Sequence, residues 1–414
     1  MIPDHFPANS SKPWAVTGAV VTPGAVVEAG VVVVLGETIV WVGAVREVPD
    51  GFREAVAAAI PAPLVLPGLV DIHCHGGGGA SFPDAASVDE ARLAVREHLR
   101  SGTTSLIAST VTQDRESLLR QMALLAQLAD SGELVALHAE GPFLSPKRAG
   151  IQNPAFMQEP DPGLVYALAE AARGHLATMT IAPEIPGNMA ANTSPGTQSV
   201  IAAIVSAGAV PSFGHTDCSA EDINVAISEA LAAGATRSPR PTVTHLFNAM
   251  RPFAHRDPGP PLAALAAAER EEVAVELVGD SVHLAPEVVS DVFGIAGADN
   301  VLLVSDAMAA AGMPDGIYRL GPMDVEVKDR VARMLGGTAI ASSTARSIDL
   351  VRCSVFDAGI PIADAVCAAS RTPARVLGVE RRVGALEVGL RADLVLTDRN
   401  FEVLAVVKTG QKVA

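Results

Sequence analysis

From residue 66 onward the chain alternates short apolar runs with amphipathic stretches. The run 66–72 carries Leu66, Leu69, Val70 and Ile72, is bounded by Pro67 and the glycines Gly76, Gly77, Gly78 and Gly79, and reads as a short, fully buried strand. Helical spacing follows over 88–100, with Ser87 and Glu90 placed as a capping box at its start. Further strands are predicted at 103–109, 134–139, 176–181, 210–213, 242–246, 273–278 and 301–304, and further helices at 113–129, 162–173, 198–207, 220–233, 261–268, 286–296, 344–358 and 362–377. Eight such units over roughly 300 residues predict an α/β fold, a (β/α)8 barrel of the TIM type. The rival, an open doubly wound sheet, lacks a G-x-G-x-x-G after any strand.

The ends of the chain have a different period. Strands are predicted at 15–21, 26–35 and 37–45, separated by Thr22-Pro23-Gly24 and Gly36-Glu37, and again at 392–396 and 403–408 around Asp398-Arg399-Asn400. Two β-rich ends predict one small β-sandwich, built from 1–65 and 379–414 and bracketing a barrel over 66–378. Residues 1–12 read as a loose polar tail.

Composition narrows the partners. With 30 Lys+Arg against 46 Asp+Glu, a net charge of −16 and no basic block, neither nucleic acid nor an anionic membrane fits as the main partner. An anionic small molecule fits only if a few placed cations line its pocket. No apolar run reaches the ~20 residues of a membrane span, and the start of the chain lacks a secretory pattern. Cys74, Cys218, Cys353 and Cys367 form no C-x-x-C pair and fit reduced thiols, so a cytoplasmic protein is expected.

In a barrel of this type, polar residues at the C-terminal ends of the strands build the site. His73 and His75 leave the first strand at i and i+2, on one face. The third strand ends in His138-Ala139-Glu140, the fifth in His215, the sixth carries His245 with Asn248 beyond it, the seventh leads to Asp280 and His283, and the eighth ends in Asp306. Imidazoles and carboxylates converging on one rim make a site for one or two divalent cations, Zn2+ first, with Fe2+ or another divalent ion open.

The same stretches carry a resemblance. Pro67-Gly68-x-x-Asp71-x-His73-x-His75, Asp306 and the run 383–394 resemble the amidohydrolase superfamily. More narrowly, His138-Ala139-Glu140-Gly141-Pro142-Phe143 with Pro146-Lys147-Arg148-Ala149-Gly150, Gly214-His215-Thr216, Thr244-His245-Leu246-Phe247-Asn248-Ala249-Met250, His255-Arg256-Asp257-Pro258-Gly259 and Val304-Ser305-Asp306-Ala307 are similar to the N-acetylglucosamine-6-phosphate deacetylases, in that family's order. The resemblance implies hydrolysis of an acetamide on a phosphorylated amino sugar. It implies that Glu140, His215 and His245 hold one metal, and that His73, His75, the shared Glu140 and Asp306 hold a second. Asp306 is then the group that takes the proton of the attacking water and passes it to the leaving amine. Arg256, lent across a homodimer interface, and His283 would bind the phosphate, with Asn248 and Ala249 helping; Ile151, Gln152, Ile340, Ala341 and Ser342 would contact the sugar and its acetamide. Two positions depart from relatives: Gln152, where some carry His, and Ala341-Ser342, where Gly-Ser is usual.

Plainer readings stand beside these. His138 shares the face of Glu140 and is expected to support or pack rather than ligate. Cys74 points to the opposite face of its strand and reads as core. His5, His98 and His175 are expected to be solvated, and Lys147 and Arg148 to be surface charges. Gly76–Gly79 are expected to let substrate approach the backbone closely. Alternatives to the deacetylase are an amidohydrolase acting on the galactosamine epimer or an unphosphorylated sugar, and a barrel that has lost catalysis and only binds.

Overall fold

The structure, a computed structural model, describes Phe6 and residues 11–414; His5 lies outside them. Its centre is a sheet of eight parallel strands hydrogen-bonded in chain order: Leu69–Asp71, Thr103–Thr110, Ala136–Glu140, Leu176–Ile181, Val210–Phe213, Thr242–Val243, Ala274–Leu277 and Val301–Leu303. The first and last strands come together just beyond their ends. Cys74 bridges to Ala307 in parallel register, the Asp306 amide donates to His73 O at 2.9 Å, and the His75 amide to Ala307 O at 2.7 Å. The result is a nearly closed barrel of the TIM type, as the alternating pattern predicts.

The helices pack outside with an apolar stripe inward. Arg115–Asp130 buries Leu118, Met122 and Leu125 against the barrel, each such side chain stabilising the fold by about 1.5–3 kcal/mol. Val88–Arg100 starts at the predicted cap, the Ser87 hydroxyl accepting from the Glu90 amide at 3.2 Å, but the box is not closed: the Glu90 carboxylate reaches one residue further back, to the Ala86 amide at 2.9 Å. Where one last helix is expected over 362–377, two appear, Ile362–Ala368 and Arg371–Val376, divided at Ala369-Ser370 ahead of Pro373.

The β-rich ends of the chain meet in one seven-stranded sheet. Its order is Gln411–Lys412, Val403–Lys408, Leu394–Thr397, Ile60–Pro67, Trp14–Thr22, Ala25–Leu35 and Thr38–Ala44. The run at 66–72 is therefore two strands, not one. Leu66 and Pro67 end a strand of this terminal sheet, and the barrel begins only at Leu69. Gly68 makes the transition because a Cβ there would sit 2.1 Å from Thr104 Oγ1. No helix among the described residues is long and apolar enough to cross a membrane.

One element was not foreseen. Between the eighth barrel strand and the helix Ser347–Phe356 lies a four-stranded antiparallel sheet, Gly316–Leu320, Met323–Lys328, Val331–Met334 and Ile340–Ser342. It has its own small core of Leu320, Val325, Val327, Ala332 and Ala341, packed onto Met308 and Ala310.

Candidate active site

His73, His75, Glu140, His215, His245 and Asp306 come from five barrel strands and meet at the C-terminal rim. Their local backbone is strained where they meet. His215, His245 and Asp306 have φ of 47°, 28° and 45°, with Phe247 and Ala249 also left-handed at 74° and 49°. Non-glycine residues rarely adopt this region, and where surrounding structure enforces it the reason is commonly functional.

The geometry forms two triangles sharing one carboxylate. Glu140 Oε1 lies 3.0 Å from His215 Nε2 and 3.1 Å from His245 Nε2, and those two nitrogens are 3.1 Å apart. On the other side, Glu140 Oε2 is 3.3 Å from His75 Nε2, which is 3.1 Å from His73 Nε2. Asp306 Oδ1 closes this second group at 3.2 Å from His75 Nε2 and 3.6 Å from His73 Nε2. All are buried except Asp306, whose side chain is 13% exposed and faces the pocket.

The donor chemistry decides what belongs between them. Nδ1 of His215 faces the Arg148 carbonyl at 3.0 Å, and Nδ1 of His73 faces Glu276 Oε2 at 3.0 Å. Both partners only accept, so each Nδ1 carries the proton and each neutral ring turns an Nε2 lone pair toward the centre. Lone pairs of nitrogen and carboxylate oxygen thus confront one another out of water, which is unfavourable without positive charge between them. With no cation between them the site would draw that charge from a proton: burial pushes the His73 imidazole down, but the carboxylates of Asp306 and Glu140 more than reverse this, to about 10, and a metal ion would take that proton's place and leave the ring neutral. Burial likewise pushes Asp306 up, and His73 and His75 draw it back to about 2. A tetrahedral ion with bonds of about 2.0–2.2 Å holds its ligands about 3.3–3.5 Å apart, close to the separations here. The Glu140–His215–His245 and His73–His75–Glu140 groups both fit a metal.

A cavity of about 410 Å3 opens onto these groups, lined by His75, Glu140, His215, His245 and Asp306 together with Ile151, Gln152, Asn248, Ala249, His283, Ile340 and Ala341. Ser342 sits just behind, donating to the Asp306 carbonyl at 2.5 Å. Gln152 is held at both ends: its Oε1 accepts from the Thr112 amide at 2.8 Å and its Nε2 donates to Glu140 Oε2 at 2.5 Å. His283 Nδ1 pairs with Asp280 Oδ2 at 2.9 Å. Burial pushes that imidazole down, and the hydrogen bond and charge of Asp280 raise it above its usual value. Arg256 is not brought to this cavity; it is exposed with His255 on the loop before Gly259.

Several expectations are corrected. His98 is fully buried, because it completes the inward stripe Ala91, Ala94, Val95, His98 of its helix. Its Nε2 donates to Gly76 O at 2.9 Å and lies 3.2 Å from Cys74 Sγ. Gly76–Gly79 do not line the cavity. They pack behind it, where a Cβ on Gly76 would meet Ala80 O at 2.3 Å and one on Gly77 would meet His98 Nε2 at 2.9 Å. His175 is half-buried, its Nε2 hydrogen-bonded to Asp130 Oδ1 at 2.8 Å. His138 behaves as expected, its two nitrogens bonded to Ser109 Oγ and Thr180 Oγ1, both at 2.9 Å. Cys74 is buried core, and Lys147 and Arg148 pair with Asp217.

Sequence reasoning missed Glu276 and the lining residues Leu320, Arg333 and Thr338. Glu276 was legible as the single acidic residue inside the apolar strand 273–278. Leu320 and Arg333 belong to the unforeseen sheet and Thr338 to the turn before its last strand; the alternating Met323–Lys328 segment was the available signal.

The family model for the Amidohydrolase family matches residues 64–413. The chain belongs to the amidohydrolase family. Within it, this amidohydrolase is 32% identical over 372 residues to N-acetylglucosamine-6-phosphate deacetylase from Bacillus subtilis, covering 86% of this chain and 87% of that one. It superposes with a TM-score of 0.86 on a point variant of N-acetyl-D-glucosamine-6-phosphate deacetylase from Mycobacterium smegmatis in complex with N-acetyl-D-glucosamine-6-phosphate, at 38% identity over 97% of this chain and 100% of that one. The Thermotoga maritima N-acetylglucosamine-6-phosphate deacetylase matches at a TM-score of 0.77 and 26% identity, over 96% and 98% of the two chains.

Proposed function

We propose that this amidohydrolase removes the acetyl group from N-acetyl-D-glucosamine 6-phosphate, giving D-glucosamine 6-phosphate and acetate. The observation that carries the reading is the joining of two metal-capable groups through Glu140 at the mouth of a cavity that also holds His283. The likeness to the deacetylases from Bacillus subtilis and Mycobacterium smegmatis supports the substrate.

Glu140, His215 and His245 hold one divalent ion, and His73, His75, Glu140 and Asp306 a second; zinc is the first choice and Fe2+ the next. Such ions lower the pKa of water from ~16 toward ~7 and polarise a carbonyl. The protein supplies the rest. Asp306, held as a carboxylate and facing the cavity, takes the proton from the attacking water and delivers it to the departing nitrogen. Glu276 fixes the ring of His73, and the Arg148 carbonyl that of His215. His283, whose cationic form Asp280 favours, meets the phosphate with Asn248 and Ala249, while Ile151, Gln152, Ile340, Ala341 and Ser342 shape the sugar end. Because Gln152 already donates to Glu140, it steadies the shared carboxylate before it touches a substrate carbonyl. Arg256, exposed and away from its own cavity, is supplied to the neighbouring subunit of a cytoplasmic homodimer.

The test is acetate release from a panel of N-acetylated glucosamine and galactosamine, each with and without 6-phosphate, after metal analysis. The 6-phosphorylated glucosamine derivative is expected to turn over fastest. No acetate from it with metal loaded overturns the reading, and preference for the galactosamine epimer or a plain sugar replaces the substrate.

A further inference from the structure

At the opposite end of the barrel, beneath the starts of the second and third strands, lies a second cavity of about 330 Å3. Its lining includes Thr104 and Ser105 of the barrel, Glu133, and the cations Arg382, Arg391 and Lys408. In a chain of net charge −16, three cations around one hollow need an explanation. Only Arg391 is occupied: it pairs with Asp393 and reaches Ser105 Oγ at 3.4 Å. Among the described residues, Lys408 and Arg382 make no side-chain hydrogen bond or ion pair, although Lys408 is largely covered. The Thr104 hydroxyl, also buried, has no partner.

A nearby basic hollow shows the ordinary alternative. There Arg240 is bonded to Asn300 and to the Asp299 carbonyl, and Arg375 is paired with Asp299 at 2.5 Å. Those arginines cement the fold and have nothing left to offer. In the cavity at Lys408, burial and the neighbouring Arg391 push the ammonium pKa down by more than the carboxylates of Asp393 and Glu133 raise it, so an anion in direct contact relieves a cost that the fold otherwise carries.

We infer that the cavity formed by Arg382, Arg391 and Lys408 binds a phosphate monoester, at a site separate from the metal rim and on the other face of the barrel. The free guanidinium fork of Arg382 together with the Lys408 ammonium matches the tetrahedral, doubly charged phosphoryl group, with Arg391 held at the side by Asp393, and the volume admits a sugar-sized remainder against Glu133 and the two hydroxyls. This inference is independent of the proposed reaction.

The experiment soaks crystals of the metal-loaded protein with tungstate, a heavy tetrahedral stand-in for phosphate, and follows thermal stabilisation by inorganic phosphate and by acetate. Tungstate density beside Lys408 is expected in the wild type and not in Lys408→Met, with phosphate binding at this cavity about tenfold weaker in Arg382→Ala. Arg382 is exposed, so that variant remains informative if Lys408→Met folds poorly. The inference is overturned if wild-type density appears only at the metal rim, if both variants bind as the wild type does, or if acetate stabilises as well as phosphate through the same residues.

Discussion

At the C-terminal ends of the barrel strands, Nε2 of four histidines crowds the oxygens of Glu140 and Asp306, and those of His73 and His215, whose Nδ1 atoms face acceptors, offer lone pairs to a cation. At the N-terminal ends, beneath Thr104, the groups left over are cations, Lys408 and Arg382. The two ends are built from the same strands and differ in what completes them. Backbone explains part of this. The rim carries left-handed residues at His215, His245 and Asp306, held there by strand-end hydrogen bonds such as Asp306 N to His73 O. The floor uses ordinary strand geometry and borrows its cations from the terminal sheet and its approach. A TIM barrel concentrates its chemistry at one rim, yet the other end gains chemistry once another sheet closes over it.

The comparison breaks first at Asp306. Asp306→Asn keeps the shape and one ligand oxygen but cannot take a proton. Turnover is expected to fall by about 10²–10⁴-fold, with circular dichroism and melting temperature near wild type; an unchanged kcat removes Asp306 from proton transfer. Next comes Glu276, which touches no substrate. Glu276→Gln still accepts from His73 Nδ1–H but loses the charge that favours this tautomer. Metal affinity at the His73–His75 side is expected to drop about 10–100-fold, read by chelator competition, while affinity at the His215–His245 side changes little. Equal loss at both would show that Glu140, not His73, transmits the change.

How far the chain announced all this depends on whether a residue's role is local. His73 and His75 show their shared face by spacing alone, and Asp306 by its place after an apolar run. The eight strands were legible because each is buried on both faces and flanked by turns or helices. Glu276 stood out as the one acid inside an apolar strand, but its role was not legible, because the partner it faces, His73, lies 203 residues away. His98 was misread although its i, i+3, i+4, i+7 stripe with Ala91, Ala94 and Val95 was visible; residue type outweighed position. The sheet over Gly316–Ser342 was passed over because its alternation breaks the βα rhythm. The cavity at Lys408 joins residues 104 to 408, which no local pattern connects.

Arg256 gives a smaller effect and sharpens the question of where the rim's own cations come from. Arg256→Ala is expected to raise KM for the 6-phosphorylated sugar by about 10-fold or more, the worth of a charge-assisted hydrogen bond, with KM for the plain sugar unmoved. If the guanidinium crosses to a neighbouring subunit, mixing Arg256→Ala with Asp306→Asn protein restores activity, because one mixed site receives both intact groups. Failure of mixing, with subunit exchange verified, places the arginine in its own chain's site.

The smallest effect is a change in pH dependence at His283. Asp280 raises the imidazole pKa above its ordinary value of 6.5, so the ring is a cation below that raised pKa and becomes neutral as pH climbs through it. Tight phosphate binding is therefore present below that raised pKa and lost as pH climbs through it, and KM for the phosphorylated sugar is expected to rise there. Asp280→Asn keeps an oxygen to accept from the amides of Val282 and His283 but removes the charge. The rise in KM then moves to lower pH, giving an increase of about a few-fold within the window the shift vacates, while the plain sugar shows no shift. The contrast between the two substrates matters more than its size. A pH effect shared by both belongs to Asp306 and the metal ligands; one confined to the phosphorylated sugar belongs to His283. A profile that Asp280→Asn leaves in place would mean that the phosphate is held without this imidazole, and that the rim, like the floor, depends on arginine and lysine for its anion.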